Sequence, residues 1–231
     1  MAEFLQQCGS WGVLATLAAY AAGVLVNRKT GKALFNPLLM GSIFMIVFLS
    51  CFGVPYADYK SSAQPVSWLL MPATVSLAIP LYEKWELLEK NLAAIFASIA
   101  AGVLTSLGSV LAMAWLLKLE RAHAVSFLPK SVTTAIGMDV AETLGGTAAL
   151  AGAVIILTGI VGSLLGETVC KVCRITDPLA KGLALGTSAH AIGTSKALQM
   201  GEIEGAMSGL AIAVAGIMTA ILAPVAANFL P

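Results

Sequence analysis

The chain has 231 residues, of which 58% are hydrophobic and 11% charged, and its formal net charge is +1. A mean hydropathy of +0.90 lies far outside the range of water-soluble domains, so the composition points to an all-α integral membrane protein, a polytopic helical bundle. With 13 Lys+Arg against 12 Asp+Glu there is no concentrated basic face, which excludes a nucleic-acid partner.

The first apolar run, residues 4–27, follows Met1-Ala2-Glu3 and ends in Arg28 and Lys29. It lacks the basic region and cleavage site of a signal peptide, and is expected to be a retained first span. Further stretches free of Asp, Glu, Lys and Arg cover residues 33–57, 61–82, 91–117, 143–166 and 205–231. Each is long enough for the roughly 20 residues that one bilayer crossing needs. Two weaker stretches, 122–142 and 182–195, are charged or short, as broken and re-entrant helices often are. The expectation is a single domain over residues 1–231 with about seven to eight membrane segments.

Within the second run Asn36 precedes Pro37, where an amide is suited to cap an interrupted helix and also to face a solute path. The segment Pro72-Ala73-Thr74-Val75-Ser76-Leu77-Ala78-Ile79 aligns with Pro129-Lys130-Ser131-Val132-Thr133-Thr134-Ala135-Ile136, an offset of 57 residues (72 to 129). Gly102-Val103-Leu104-Thr105-Ser106-Leu107 meets Gly159-Ile160-Val161-Gly162-Ser163-Leu164 at the same offset, which indicates an internal repeat. Both copies carry helix breakers, Pro72 and Pro80 in one, Pro129 and Gly137 in the other. The spacing leaves open whether the copies run parallel or inverted. In either arrangement the basic loops at 28–32 and 171–181 face the cytoplasm.

Glycines at 145, 152, 159 and 166 recur every seven residues, and Gly201, Gly205 and Gly209 every four, as small residues do where helices approach closely. Cys8, Cys51, Cys170 and Cys173 read as small apolar fillers, because the lone CxxC has no second ligand pair for zinc. No metal or cofactor is expected.

The segment Leu128-Pro129-Lys130-Ser131-Val132-Thr133-Thr134 places a cation and three hydroxyls beside a helix breaker in apolar surroundings. Free N–H groups at a helix start favour a carboxylate, and Lys130 adds a full charge. The competing reading is that Lys130 snorkels to the headgroups while the hydroxyls bond back to their own helix. A third possibility is that Asp139 and Glu142 pair with Lys130 and neutralise it. A second cluster, residues 186–195, holds Ser188, His190 and Thr194 between glycines. His190 suits either a structural hydrogen bond or proton uptake. Glu204, near the start of the last span, is a second candidate for proton coupling. No HExxH, P-loop or nucleophile with a base and an orienting acid is present, so no enzyme is expected.

Asn36-Pro37-Leu38-Leu39, the PKSVTT segment, Ala189-His190-Ala191-Ile192-Gly193-Thr194 and Glu204-Gly205-Ala206 together resemble the CidB/LrgB family of bacterial membrane proteins, in order and over nearly the whole chain. Ala135 stands where members commonly have proline, and Ala189 where they commonly have serine. The resemblance implies a multi-pass protein of the bacterial inner (plasma) membrane. It also implies two rival functions. The leading expectation is transport of small monocarboxylates, of the pyruvate, glycolate or glycerate class, by alternating access. Lys130, Ser131, Thr133 and Thr134 would then hold the carboxylate, with Asn36, Ser188, His190 and Thr194 completing the site. The alternative is an antiholin-like regulator of murein hydrolase export and cell lysis, working with a small CidA/LrgA-type membrane partner. Membrane lipid and further copies of the chain are the other expected partners.

Overall fold

The computed structural model describes residues 9–30, 35, 37–69, 72, 75–76 and 78–231. The described residues form helices α1 (Trp11–Thr30), α2 (Pro37–Phe52), α3 (Tyr56–Ser62), α4 (Gln64–Trp68), α5 (Ala78–Glu83) and α6 (Trp85–Lys90). They continue with α7 (Leu92–Leu117), α8 (Arg121–Phe127), α9 (Thr134–Thr143), α10 (Ala148–Val172), α11 (Pro178–Met200) and α12 (Glu202–Ala227). Two compact units result, Met1–Ser76 and Leu77–Pro231.

In the first unit α1 packs along α2, with Gly23 against the backbone of Pro37 and Gly41. Trp11 sits between the rings of Phe48 and Tyr59, at centroid distances of 6.4 and 6.0 Å, and the Thr16 hydroxyl meets that of Tyr59 at 2.8 Å. The apolar run 33–57 yields a helix of 16 residues, closed by Gly53 at φ +62° ahead of Pro55. Of the run 61–82, the described residues include helix α4 with Pro65 in its first turn and helix α5 with Pro80 within it.

Among the described residues three helices are long and apolar enough to cross a bilayer: α7, α10 and α12. At 26, 25 and 26 residues they reach about 39 Å, more than the roughly 30 Å hydrocarbon layer. On α7 the residues Ile95, Ile99, Val103, Leu107 and Val110 form one buried stripe at helical spacing, in a cluster that includes Met207, Ala211 and Ala215 of α12. Leu104 and Leu116, off that stripe, are exposed, as lipid-facing side chains are. Lipid tails are as apolar as this core, so close packing against small residues, rather than escape from water, holds α12 in place.

Two helical hairpins fill the spaces between the long helices. The first comprises α8, the non-helical stretch 128–133 and α9. The chain doubles back, so the backbone N–H of Thr147 donates to Ser126 Oγ at 2.8 Å, and Gly137 lies 3.2 Å (measured from an added Cβ) from the carbonyl oxygen of Pro129. The second hairpin is α11 itself. His190 has φ 42° and ψ −138°, which divides α11 into arms 178–189 and 191–200. A Cβ on Gly193 would lie 2.6 Å from the Leu185 carbonyl oxygen, whereas a straight helix holds residues eight apart at roughly 12 Å.

The hairpins enter from opposite ends. Trp115 Nε1 donates to the Phe229 carbonyl at 2.9 Å, so α7 and α12 finish at one end, where the first hairpin begins. Lys84 pairs with Glu202 at 3.1 Å at the other end, where the second hairpin has its base. Along α10, Gly166 faces Leu185, Gly162 faces Ala189 and Gly159 faces His190, so the first arm of α11 runs antiparallel to it. Gly159, Gly162 and Gly166 thus accommodate the second hairpin, while Gly152 faces Met138 and Thr134 of the first. Gly145 does neither; at φ +83° it forms the turn after α9, with open space about it.

Candidate functional site

Lys130 lies at the tip of the first hairpin. Pro129 breaks the helical path, and Thr133, at φ −64° and ψ 149°, starts α9 with no side-chain hydrogen bond capping it. The first bond of α9 runs from Gly137 N to the Thr133 carbonyl, so the N–H groups of Thr134, Ala135 and Ile136 precede the intrahelical ladder. A helix amino terminus is therefore presented in mid-span, next to the lysine.

Lys130 Nζ is 3.1 Å from Ser106 Oγ and 3.3 Å from Ser131 Oγ, and the two hydroxyls are 3.0 Å apart. Ser106 is near the middle of α7, which places the cluster at the depth of the bilayer centre. Asp139 and Glu142 are exposed, and among the described residues no carboxylate forms an ion pair with Lys130. The ammonium is thus surrounded by neutral donors and acceptors. Thr133 and Thr134 are half-buried.

A cleft of about 500 Å³ opens beside this cluster, between α7, the hairpin tip and the first arm of α11. Its lining includes Ser98, Thr105 and Ser106 of α7, Ser131 of the tip, and Thr187 and Ser188 of α11. Ser131 and Ser188 thus line one cleft, while Lys130 is not itself part of its lining and reaches it through its bonds to Ser106 and Ser131. Ser188 bonds back to the Ala184 carbonyl at 2.6 Å.

His190 and Thr194 lie elsewhere, at the contacts of the second hairpin with its neighbours. His190 is 2% exposed, and its Nε2 donates to the Ile155 carbonyl of α10 at 2.9 Å. Thr194 donates to the His190 carbonyl at 3.0 Å, and its hydroxyl meets that of Ser208 on α12 at 2.7 Å. These residues join the hairpin to α10 and α12. Glu204 is buried at the hairpin base and lines a second cavity of about 750 Å³ with Lys171, Arg174, Lys181 and Lys196. There Glu167 holds Lys171 at 2.8 Å and Lys196 at 2.7 Å. Cys170 and Cys173 are free thiols. Asn36 lies outside the described residues.

Sequence reasoning missed Ser98, Thr105, Ser106 and Thr187. The signal was present in α7: Ser98, Gly102, Thr105, Ser106 and Ser109 fall at helical spacing on an otherwise apolar helix. Such a polar stripe marks a face turned away from lipid.

A model described as the LrgB-like family matches residues 16–229. A protein of Bacillus subtilis (strain 168) named antiholin-like protein LrgB is 37% identical over 216 residues, covering 93% of this chain and 94% of its own. Proteins of the same name from Bacillus mycoides (strain KBAB4) and Bacillus cereus (strain B4264) are each 34% identical over 221 residues, covering 95% of this chain and 96% of their own. No solved structure matches the chain.

Proposed function

Because the chain belongs to the LrgB-like family of membrane proteins, we propose that it works in the bacterial inner membrane as an antiholin-like protein, restraining murein hydrolase export and lysis. The observation that carries this reading is identity of 37% over 93% of the chain to a relative bearing that name. The relatives' name supports it better than it supports a transporter, the function that the residues and the resemblance first suggested. On this reading the chain acts with a small CidA/LrgA-type membrane protein, and with further copies of itself. The test is complementation. In a strain deleted for its own antiholin-like gene, expression of this chain restores control of autolysis; unchanged lysis counts against the reading.

A specific observation favours a second reading, transport of a small monocarboxylate of the pyruvate, glycolate or glycerate class. Interrupted helices that enter from opposite ends and meet near mid-span are a feature of secondary transporters, and here one tip carries an unneutralised lysine. The hairpins occupy residues 121–143 and 178–200 and enter from opposite ends, which supports an inverted pair of hairpins, a different pairing from the alignment of 72–107 with 129–164. Lys84, Lys90, Lys171, Arg174 and Lys181 gather at one end and Lys118 and Arg121 at the other, which supports a cytoplasmic position for the first group. Uptake of labelled pyruvate, glycolate and glycerate into proteoliposomes tests this. Flux that Lys130→Ala abolishes supports transport; absence of flux for all three, with and without the small partner, removes it.

A further inference from the structure

The cavity at the base of the second hairpin has no part in either functional reading. Its volume of about 750 Å³ falls within the range of small-molecule sites, and four basic side chains, Lys171, Arg174, Lys181 and Lys196, line it with two carboxylates, Glu167 and Glu204. Glu167 is taken up by Lys171 at 2.8 Å and Lys196 at 2.7 Å. Glu204 is buried, with its carboxylate folded back against Gly201 at the start of α12. Arg174 and Lys181 remain, and among the described residues neither forms an ion pair.

Both of these cations stand where local structure disfavours them. After α10 the Arg174 N–H donates to the Lys171 carbonyl at 3.2 Å and that of Ile175 to the Cys170 carbonyl at 2.8 Å. This pair of bonds needs a left-handed residue between, and Arg174 supplies it at φ 56°. A cation suits the dipole at a helix end, but the backbone there favours glycine. Lys181 falls at the close of the first turn of α11, where the dipole opposes positive charge. Two such cations turned to one cavity mark a place for negative charge.

We propose that this cavity binds a phosphate group, with Arg174 and Lys181 as its cationic ligands and Thr176 and Gln199, also on the wall, as neutral donors. The planar guanidinium matches two phosphate oxygens at once, and the ammonium adds a point charge to a third. At 25 residues α10 outruns the roughly 30 Å hydrocarbon layer, so the cavity beyond its end lies at headgroup depth. A phospholipid headgroup and a water-soluble phosphate compound both reach it there.

The test follows the melting temperature of the full chain in a phosphate-free maltoside detergent at fixed ionic strength, titrated with inorganic phosphate or, separately, with phosphatidylglycerol. A rise with inorganic phosphate identifies a soluble source, and a rise with phosphatidylglycerol alone identifies the headgroup. In whichever titration shows the rise, Arg174→Gly and Lys181→Gln are each expected to weaken apparent affinity about ten-fold, the loss of one charge-assisted hydrogen bond. The double change Lys118→Gln with Arg121→Gln removes equal charge at the opposite end and is expected to leave affinity unchanged. Glycine suits the backbone at position 174, so Arg174→Gly without ligand is expected to melt no lower than the parent, which separates lost binding from lost folding. No rise in either titration overturns the proposal, as does a rise that Arg174→Gly and Lys181→Gln both retain in full. Both functional readings stand whichever way this result falls.

Discussion

His190 Nε2 donates to the Ile155 carbonyl at 2.9 Å, so the turn of the second hairpin is fastened to the middle of α10 by a side chain whose own backbone is strained. At φ 42° and ψ −138°, His190 occupies a region close to one that essentially only glycine adopts, at a cost of order 1–3 kcal/mol. Burial among α10 and α12 and the bond to Ile155 hold it there. His190→Ala keeps the strain and loses the bond, whereas His190→Gly loses the bond but relieves the strain. His190→Gly is therefore expected to melt above His190→Ala in detergent, and the reverse order would show that the backbone is not strained.

The glycines of α10 and α11 differ in what surrounds them. A Cβ on Gly186 would meet the Ser208 backbone and Ala211, and one on Gly162 would meet Ala189, whereas one on Gly108 would meet nothing within 4 Å. Gly186→Leu and Gly162→Leu are expected to abolish the monodisperse peak in fluorescence size-exclusion chromatography, and Gly108→Leu to retain it. Gly159 lies against His190 and Ile192 inside the unit, so Gly159→Leu reports on hairpin packing rather than on assembly with a partner.

Ser126 is fully buried at the base of the first hairpin, donating to the Ala122 carbonyl and accepting from Thr147 N at 2.8 Å. Ser126→Ala leaves that N–H unpaired and is expected to cost about 1–3 kcal/mol. A drop in melting temperature larger than that of the exposed control Ser109→Ala is the expected measurement.

Ser106 offers a direct test of the charge at the first tip. Its hydroxyl is 3.1 Å from Lys130 Nζ, so Ser106→Asp places a carboxylate within ion-pairing reach of the ammonium. The variant is expected to fold as the parent does and to lose anion binding at least ten-fold, a difference of about 1.4 kcal/mol. Retained binding would mean that Lys130 is not the anion anchor.

The opposed hairpins, with the basic end placed in the cytoplasm as proposed above, make membrane sidedness testable. With native cysteines replaced, a cysteine introduced at Thr176 is expected to react with an impermeant maleimide only from the cytoplasmic face. One introduced at Gly145 is expected to react only from the opposite face. Labelling of both from one side would exclude hairpins entering from opposite ends.

Composition and hydropathy were enough to establish a helical membrane protein, because covering a bilayer-spanning surface requires apolar residues in runs whose length and charge depletion are visible in one dimension. The helix break at the PKSVTT segment was likewise legible, since Pro129 cannot continue the hydrogen-bond ladder of a helix. The partners of His190 and Thr194 were hidden, because clustering along the chain does not reveal that a hairpin turns one set of side chains to α10 and α12 and another to the cleft.

The sequence by itself determined the solvent in which this chain folds and the break at Pro129 beside Lys130, while it left open whether Asp139 or Glu142 would neutralise that lysine. Only the tertiary structure decided which hydroxyls that cation meets. Ser106 is 24 residues away from Lys130 on another helix, and their meeting depends on helix crossings set by side-chain volumes and glycine gaps rather than by any local pattern.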